Sequence, residues 1–144
     1  MYKLDIYKCK LVRESSLDMD NVTDTADVYC VMNKLGICDA AEEYMYLMCL
    51  NTKGDIIGVH EISHGTLNGT EIHPREVFKR AILNNSAAII IIHNHPSGGL
   101  EPSPEDLIAT NRINEAGTLL GIKLVDHVII SPKGYVSLLQ KGML

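Results

Sequence analysis

The sequence predicts a mixed α/β fold, in which one β-sheet carries helices on its faces. Short apolar runs typical of strands alternate with stretches of helical periodicity, in the order β-α-β-β-α-β-α-β-β. The length of 144 residues and the 46% share of hydrophobic residues suit one domain with a substantial core. We therefore expect residues 1–144 to form a single domain, with no internal repeat and no linker.

The N-terminal part of the chain is predicted to form one strand and one helix. Residues 2–12 alternate between apolar and polar side chains, and a shift in this alternation indicates a bulge or an edge position. A helix is expected to begin after Thr23 or Asp24, since both residue types are good N-caps. It should run to Leu35, because Gly36 is a natural stop.

The middle of the chain is predicted to form a hairpin and a second helix. Glu43 opens a strand over residues 44–50, and a second strand follows over residues 55–64. Residues 51–54 between them have the composition of a turn. A helix over residues 74–84 is expected next, because proline suits the first turn of a helix.

The C-terminal part is predicted to contain a buried strand, a helix and two further strands. The buried strand is the run Ile89 to Ile92, whose continuous apolar character is typical of a strand covered on both faces. The helix should span residues 103–120 and stop at a glycine. Strands over residues 122–130 and 135–139 complete the sheet.

Composition and charge exclude several classes of protein. The net charge is −5, which lowers the expectation of autonomous DNA binding. No apolar run approaches the ~20 residues that span a bilayer, and residues 1–10 lack the core of a signal peptide, so we expect a cytoplasmic protein without a membrane partner. The cysteines form no CxxC pair and are interpreted as small core residues or bystanders: Cys9, Cys30, Cys38 and Cys49.

Two histidines at the end of the isoleucine strand indicate a metal site. In an extended chain, residues i and i+2 point to the same face, so His93 and His95 project together and Asn94 projects away from them. Asp106 lies at the start of the next helix, where the intervening loop can fold it back. Two imidazoles and a carboxylate with an open fourth position are the ligand set of a catalytic zinc site.

Each of these residues also has a purely structural interpretation. Ser103 and Asp106 nearly match a capping box, and two histidines at a strand end can simply bond to the backbone. The combination of both features favours a metal. A catalytic site also needs a general base near the metal, and the spacing leaves Glu43 and Glu61 open as candidates.

Two further residues are interpreted as neighbours of the site. Thr110 lies one turn after Asp106 on the same helix face and can support it. His127 follows Asp126 inside a strand, where we expect a hydrogen-bonded histidine in the core or beside the ligands.

These residues, taken in order, resemble a known family. Glu43, then His93-x-His95, ten residues, and Asp106 resemble the signature of the JAMM (MPN+) metalloproteases. The wider surroundings, over about residues 22–140, resemble RadC-family proteins in particular. The matching runs are Gly65 to Asn68, His73 to Lys79, His93 to Gly98, Pro102 to Asp106, and Leu124 to His127.

The resemblance implies a fold and a set of roles. The fold is the JAB/MPN type, a three-layer domain similar to the cytidine deaminases. His93, His95 and Asp106 are implied as ligands of one Zn²⁺ per chain. Glu43 is implied as the catalytic base, with Glu61 kept in reserve. The family's serine corresponds to Ser103, which is implied to help hold the developing oxyanion.

The implied function is zinc-dependent hydrolysis of an amide or isopeptide bond in a peptide or protein. The alternative is an accessory protein of DNA repair or of mobile elements, in which the zinc is not catalytic. A small basic cluster, formed by Arg75, Lys79 and Arg80, makes nucleic acid a second candidate partner. The chain departs from the family's pattern in two ways. Full-length RadC-like proteins usually carry an N-terminal helix-hairpin-helix region, and we expect this chain to have no room for one. The deubiquitinating relatives carry insertions that bind ubiquitin, and this sequence shows none. The sequence does not predict the oligomeric state.

Overall fold

The computed structural model describes residues 1–18, 23–65 and 72–144. Its elements confirm the mixed α/β fold class, with helices packed around one sheet. In chain order they are α1 (Thr25–Lys34), β1 (Tyr44–Leu50), β2 (Ile56–His64), α2 (Pro74–Leu83), β3 (Ala88–Asn94), α3 (Pro104–Leu120), β4 (Lys123–Ser131) and β5 (Gly134–Ser137).

Strand β3 lies at the centre of the sheet, whose strand order is β2-β1-β3-β4-β5. It pairs antiparallel with β1 and parallel with β4. The start of β1 therefore lies beside the end of β3, and Met45 is the register partner of His93. Because β4 runs parallel to β3, its end reaches the same edge, where Ile130 is the partner of Asn94.

The isoleucine run occupies β3 and is covered on both faces, as its apolar character predicts. Ile89 and Ile91 join a core cluster with residues of α2 and α3. Ile92 points the opposite way and joins a second cluster with residues of α1. The sheet is thus the middle of three layers, and the face that carries Ile89 and Ile91 is the one covered by α3.

The predicted strand over residues 2–12 is wrong. Residues 1–18 form neither helix nor strand, and all of them are exposed. A strand needs a neighbour that takes up its backbone hydrogen bonds, and an alternation of side chains carries no information about such a neighbour. The order of the described elements is therefore α-β-β-α-β-α-β-β.

The ends of the helices follow local capping groups. α1 begins after Asp24, whose carboxylate accepts a hydrogen bond from the Asp27 amide at 3.0 Å. α3 begins after Ser103 and ends at Gly121, whose φ of 74° lies in the left-handed region that favours glycine. Within the described ranges, none of the helices has the length and apolar character needed to cross a bilayer.

Candidate metal centre

The edge of the sheet where β3 ends collects four of the predicted site residues. His93 lies near the end of β3, and His95 follows the strand directly. Glu43 immediately precedes β1, which begins where β3 ends. Asp106 lies in the first turn of α3, which the loop over residues 95–103 returns to the same edge.

The ligand-type atoms of these four residues all lie within 4.8 Å of one another. Nε2 of His93 is 3.2 Å from Oδ1 of Asp106, and Nε2 of His95 is 3.1 Å from Oδ2 of the same carboxylate. The two Nε2 atoms are 2.9 Å apart. Glu43 is more distant, with Oε1 3.9 Å from Nε2 of His93. The closest three side chains are therefore the predicted ligands, and Glu43 stands beside them.

The two candidate bases have different surroundings. The Glu43 side chain is 31% exposed and belongs to the cluster. Glu61 lies on β2 opposite Tyr46, and its carboxylate is 3.6 Å from Nδ1 of His64. Glu61 is not among the described groups that converge on His93, His95 and Asp106, so Glu43 is the candidate that the fold brings to the cluster.

Hydrogen bonds at the second ring nitrogens turn both histidines towards the carboxylate. Nδ1 of His95 donates to the carbonyl of Gly99 at 2.8 Å, and Nδ1 of His93 lies 2.6 Å from Nε2 of His127. A neutral His95 therefore presents the lone pair of Nε2 to the cluster. Ring nitrogens and carboxylate oxygens that converge in this way attract a cation, and the donor set fits a divalent metal ion.

The same proximity shifts the protonation equilibria of the cluster. Burial raises the pKa of Asp106, but its hydrogen bonds with His93 and His95 outweigh burial and hold that pKa well below its usual range. The hydrogen bond with Asp106 raises the pKa of His95, against the opposing effect of burial. Burial lowers the pKa of His127 well below the ordinary histidine value.

Asp106 also completes the capping box that the sequence suggested. Its Oδ2 accepts a hydrogen bond from the Ser103 amide at 2.8 Å, and its own amide donates to Oγ of Ser103 at 3.1 Å. Oδ1 is directed at His93 instead. The capping and metal interpretations, which are alternatives from the sequence, are therefore compatible in one side chain.

Asn94 is a site residue that sequence reasoning did not single out. Its side chain is fully buried, Oδ1 accepts a hydrogen bond from the Tyr44 amide at 2.6 Å, and Nδ2 donates to the Glu42 carbonyl at 2.9 Å. These two peptide groups flank Glu43. The available signal was an amide side chain in a buried strand, where an apolar residue is usual.

Thr110 and His127 lie beside the predicted ligands His93 and Asp106, as expected from the sequence. Both are buried, and they are hydrogen-bonded to each other. Thr110 also contacts the backbone of Asp106, and His127 contacts His93.

The basic cluster on α2 is partly neutralised within the helix. Nζ of Lys79 lies 2.6 Å from Oε2 of Glu76, and a guanidinium nitrogen of Arg80 lies 3.1 Å from the same oxygen. Both cations thus share the single carboxylate of Glu76, which offsets one of the three positive charges of the cluster.

A cavity of about 50 Å³ adjoins the cluster and is lined by Glu43, Ile72, His93 and Asp106, among others. This volume suits an ion with very few water molecules. A larger cavity of about 470 Å³ lies on the α1 side of the sheet, between the start of that helix and the turn after β1. None of the four clustered residues lines this larger cavity, so the small cavity is the one that adjoins the candidate metal site.

Comparison with known proteins agrees with this geometry. Residues 22–143 match the family model described as the RadC-like JAB domain. The chain is similar to a UPF0758 protein of Clostridium tetani, with 46% identity over 125 residues, which cover 86% of this chain and 54% of that protein. A UPF0758 protein of Clostridium beijerinckii is 48% identical over 72% of this chain and 45% of its own length. One from Alkaliphilus metalliredigens is 50% identical over 72% of this chain and 44% of its own. The chain thus spans about half the length of these curated relatives.

Proposed function

Because the chain belongs to the RadC-like JAB domain family, we propose that it is a zinc-dependent hydrolase that cleaves amide or isopeptide bonds in a peptide or protein. The observation that carries this proposal is the convergence of His93, His95 and Asp106 beside Glu43 at one edge of the sheet. This arrangement fits a metal-dependent hydrolase. The chemistry of the individual residues supports the assignment to zinc and to amide hydrolysis.

His93, His95 and Asp106 would hold the ion. Zinc accepts nitrogen and oxygen ligands together, whereas magnesium and calcium prefer oxygen ligands. Three protein ligands leave a fourth position open, as in catalytic zinc sites. When bound, zinc supplies a Lewis acid that polarises a carbonyl group and lowers the pKa of water.

Glu43 is suited to move a proton. Its carboxylate comes no closer than 3.9 Å to Nε2 of His93 and is partly exposed, so it stands beside the ligands without joining their closest contacts. Asn94 holds the peptide groups on both sides of it. A carboxylate fixed in this place takes a proton from the attacking water and returns it to the leaving nitrogen.

The hydroxyl of Ser103 is suited to stabilise negative charge. Its oxygen accepts a hydrogen bond from the Asp106 amide, and none of the hydrogen bonds among the described residues uses its hydrogen. That hydrogen is therefore available to the oxyanion that forms when an amide carbonyl is attacked.

Metal analysis of the purified protein tests the ligand set. We expect about one zinc ion per chain, as in a mononuclear catalytic site, and its loss in His95→Ala and in Asp106→Ala. His60→Ala is the matched control, since it removes a histidine that contacts Asn84 instead. A zinc content that neither ligand substitution changes would refute the site.

Glu43→Gln tests catalysis separately from metal binding. The variant should keep its zinc but lose about 10²–10⁴-fold in hydrolysis, because an amide cannot accept the proton. Cleavage of a mixture of unstructured and isopeptide-linked peptides, followed by mass spectrometry, measures this loss, with Glu61→Gln as the control. A zinc-loaded wild-type protein that cleaves none of these peptides contradicts the proposed activity and leaves the metal site standing.

A further inference from the structure

A chain of buried hydrogen bonds connects the two ligand-bearing elements through β4. Thr110 on α3 and His127 on β4 are 2% and 0% exposed, and neither belongs to the converging cluster. Oγ1 of Thr110 lies 2.6 Å from the carbonyl oxygen of Asp106 and 2.5 Å from Nδ1 of His127. Nε2 of His127 lies 2.6 Å from Nδ1 of His93.

The donors and acceptors of this chain have one consistent direction. The Asp106 carbonyl can only accept, so the Thr110 hydroxyl donates its single hydrogen there. Thr110 then has only lone pairs to offer, and Nδ1 of His127 must donate to it. The direction at this end is set by the number of hydrogens on each group.

The other half of the chain follows from the burial of His127. The described hydrogen bonds and ion pairs give this ring no carboxylate partner, so a second proton on it would be a buried charge without a counterion. Nε2 of His127 therefore carries a lone pair and accepts from Nδ1–H of His93. In the neutral His93 ring, which can offer a lone pair to a metal, that lone pair then lies on Nε2, and Nε2 is directed at Asp106 and His95.

We infer that Thr110 and His127 are positioning residues that fix the tautomer and the ring orientation of His93 and thereby set the metal affinity of the centre. The inference rests on the proposed role of His93 as a ligand. The same hydrogen bonds connect the His93 ring to the backbone of Asp106. One set of buried contacts therefore positions the proposed ligands from both β3 and α3. Groups that orient a ligating histidine in this way typically contribute about 10–100-fold to metal affinity.

Zinc affinity, measured by competition with a chromophoric chelator, tests the inference. His127→Phe keeps a ring but removes the acceptor, and Thr110→Val keeps the shape but removes the hydroxyl. Both should weaken zinc binding by about 10–100-fold, and His127→Gln, which retains an acceptor and a donor, should recover part of the loss. Unchanged affinity in both His127→Phe and Thr110→Val would overturn the inference.

Two control variants distinguish loss of the hydrogen bonds among Thr110, His127 and His93 from general effects of substitution. His60→Phe removes a partly buried histidine that bonds to Asn84. Thr118→Val removes a hydroxyl on the same helix that donates to the Asn114 carbonyl at 2.9 Å. Neither should alter zinc affinity. His93→Ala separates the two hypotheses: zinc binding that survives it refutes the ligand set itself, whereas zinc binding lost there but unaffected by the Thr110 and His127 variants refutes only the positioning role.

A spectroscopic measurement on the wild-type protein tests the inference even where a variant fails to fold. Long-range ¹⁵N–¹H correlation of the zinc-loaded protein reports which ring nitrogen of each histidine carries hydrogen. We expect hydrogen on Nδ1 of His93 and on Nδ1 of His127. A His93 ring with bare Nδ1 would overturn the inference whatever the variants show.

Discussion

Asn94 shows how one buried side chain sets the position of a residue on another strand. The Tyr44 amide needs an acceptor and the Glu42 carbonyl needs a donor, and a side-chain amide supplies both at once. A leucine of similar size supplies neither, and an aspartate lacks the donor. Asn94, which lies between the two histidines, therefore fixes the backbone on both sides of Glu43, at the start of the neighbouring strand β1.

Asn94→Leu is expected to destabilise the protein strongly. The substitution leaves the Tyr44 amide and the Glu42 carbonyl without their partner, at about 1–3 kcal/mol for each buried group that stays unsatisfied. Urea unfolding in the presence of a chelator measures the free energy of unfolding without a contribution from metal. Asn111→Leu on the exposed face of α3 is the control and should change it little. Equal effects of the two substitutions would show that the two hydrogen bonds of Asn94 do not stabilise the protein.

At the scale of elements, the backbone of α3 is approached closely by the connection that follows it. A Cβ atom built on Gly117 would lie 2.3 Å from the carbonyl oxygen of Ile122 and 3.2 Å from Cζ of Phe78. The first neighbour is backbone at the start of the connection to β4 and cannot rotate away. The absence of a side chain at Gly117 thus lets the connection to β4 turn back over the end of α3 and lets α3 lie close to Phe78 of α2, with Asp106 at the other end of the helix.

Gly117→Ala should therefore destabilise the protein, although alanine favours a helix by about 1 kcal/mol over glycine. Overpacking of this kind costs about 1–3 kcal/mol, which exceeds the gain in propensity. Thr118→Ala, one position further on an exposed face, changes propensity without overpacking and should be neutral or slightly stabilising. Urea unfolding of both variants gives the comparison, and a stabilised Gly117→Ala would show that the backbones can separate.

The elements themselves were largely predictable because their signals are local. The isoleucine run, the proline at the start of α2 and the glycine at the end of α3 each mark their element without reference to other parts of the chain. The strand over residues 2–12 failed because pairing is not local. Spacing alone left Glu43 and Glu61 open for the same reason, since the distance of each from the histidines depends on the register that places Met45 opposite His93. The chain of Thr110, His127 and His93 depends on the register of β3 and β4, which shifts between Ile89 and Ile90.

At the scale of the whole molecule, the His95–Asp106 pair links folding to pH. The pKa of His95 is raised from its ordinary value of 6.5, so its contribution to stability is fully present below that value and is lost as the pH rises through the raised pKa. The pKa of Asp106 is lowered from 3.8, so its contribution is present above that value and is lost only as the pH falls through the lowered pKa. Both contributions are therefore present between the two ordinary values.

Stability and zinc affinity should consequently respond to pH in opposite directions above about pH 6.5. The metal-free protein should lose stability as His95 gives up its proton, whereas zinc should bind more tightly because it no longer competes with that proton. Urea unfolding and chelator competition over a series of pH values measure the two trends. In His95→Gln the decline in stability over this range should flatten, and an unaltered decline would show that another group causes it.

The central place of β3 has a consequence for local opening. This strand is paired on both sides and covered on both faces, so its amides exchange with solvent only when the core itself opens. Asp106 lies in the first turn of a helix, and helix ends fray far more readily. An ion held by His93, His95 and Asp106 would link β3, whose amides exchange slowly, to the first turn of α3, which opens more readily. It would thereby slow the local opening of that turn. We therefore expect fraying at the start of α3 to limit how long the three side chains stay together.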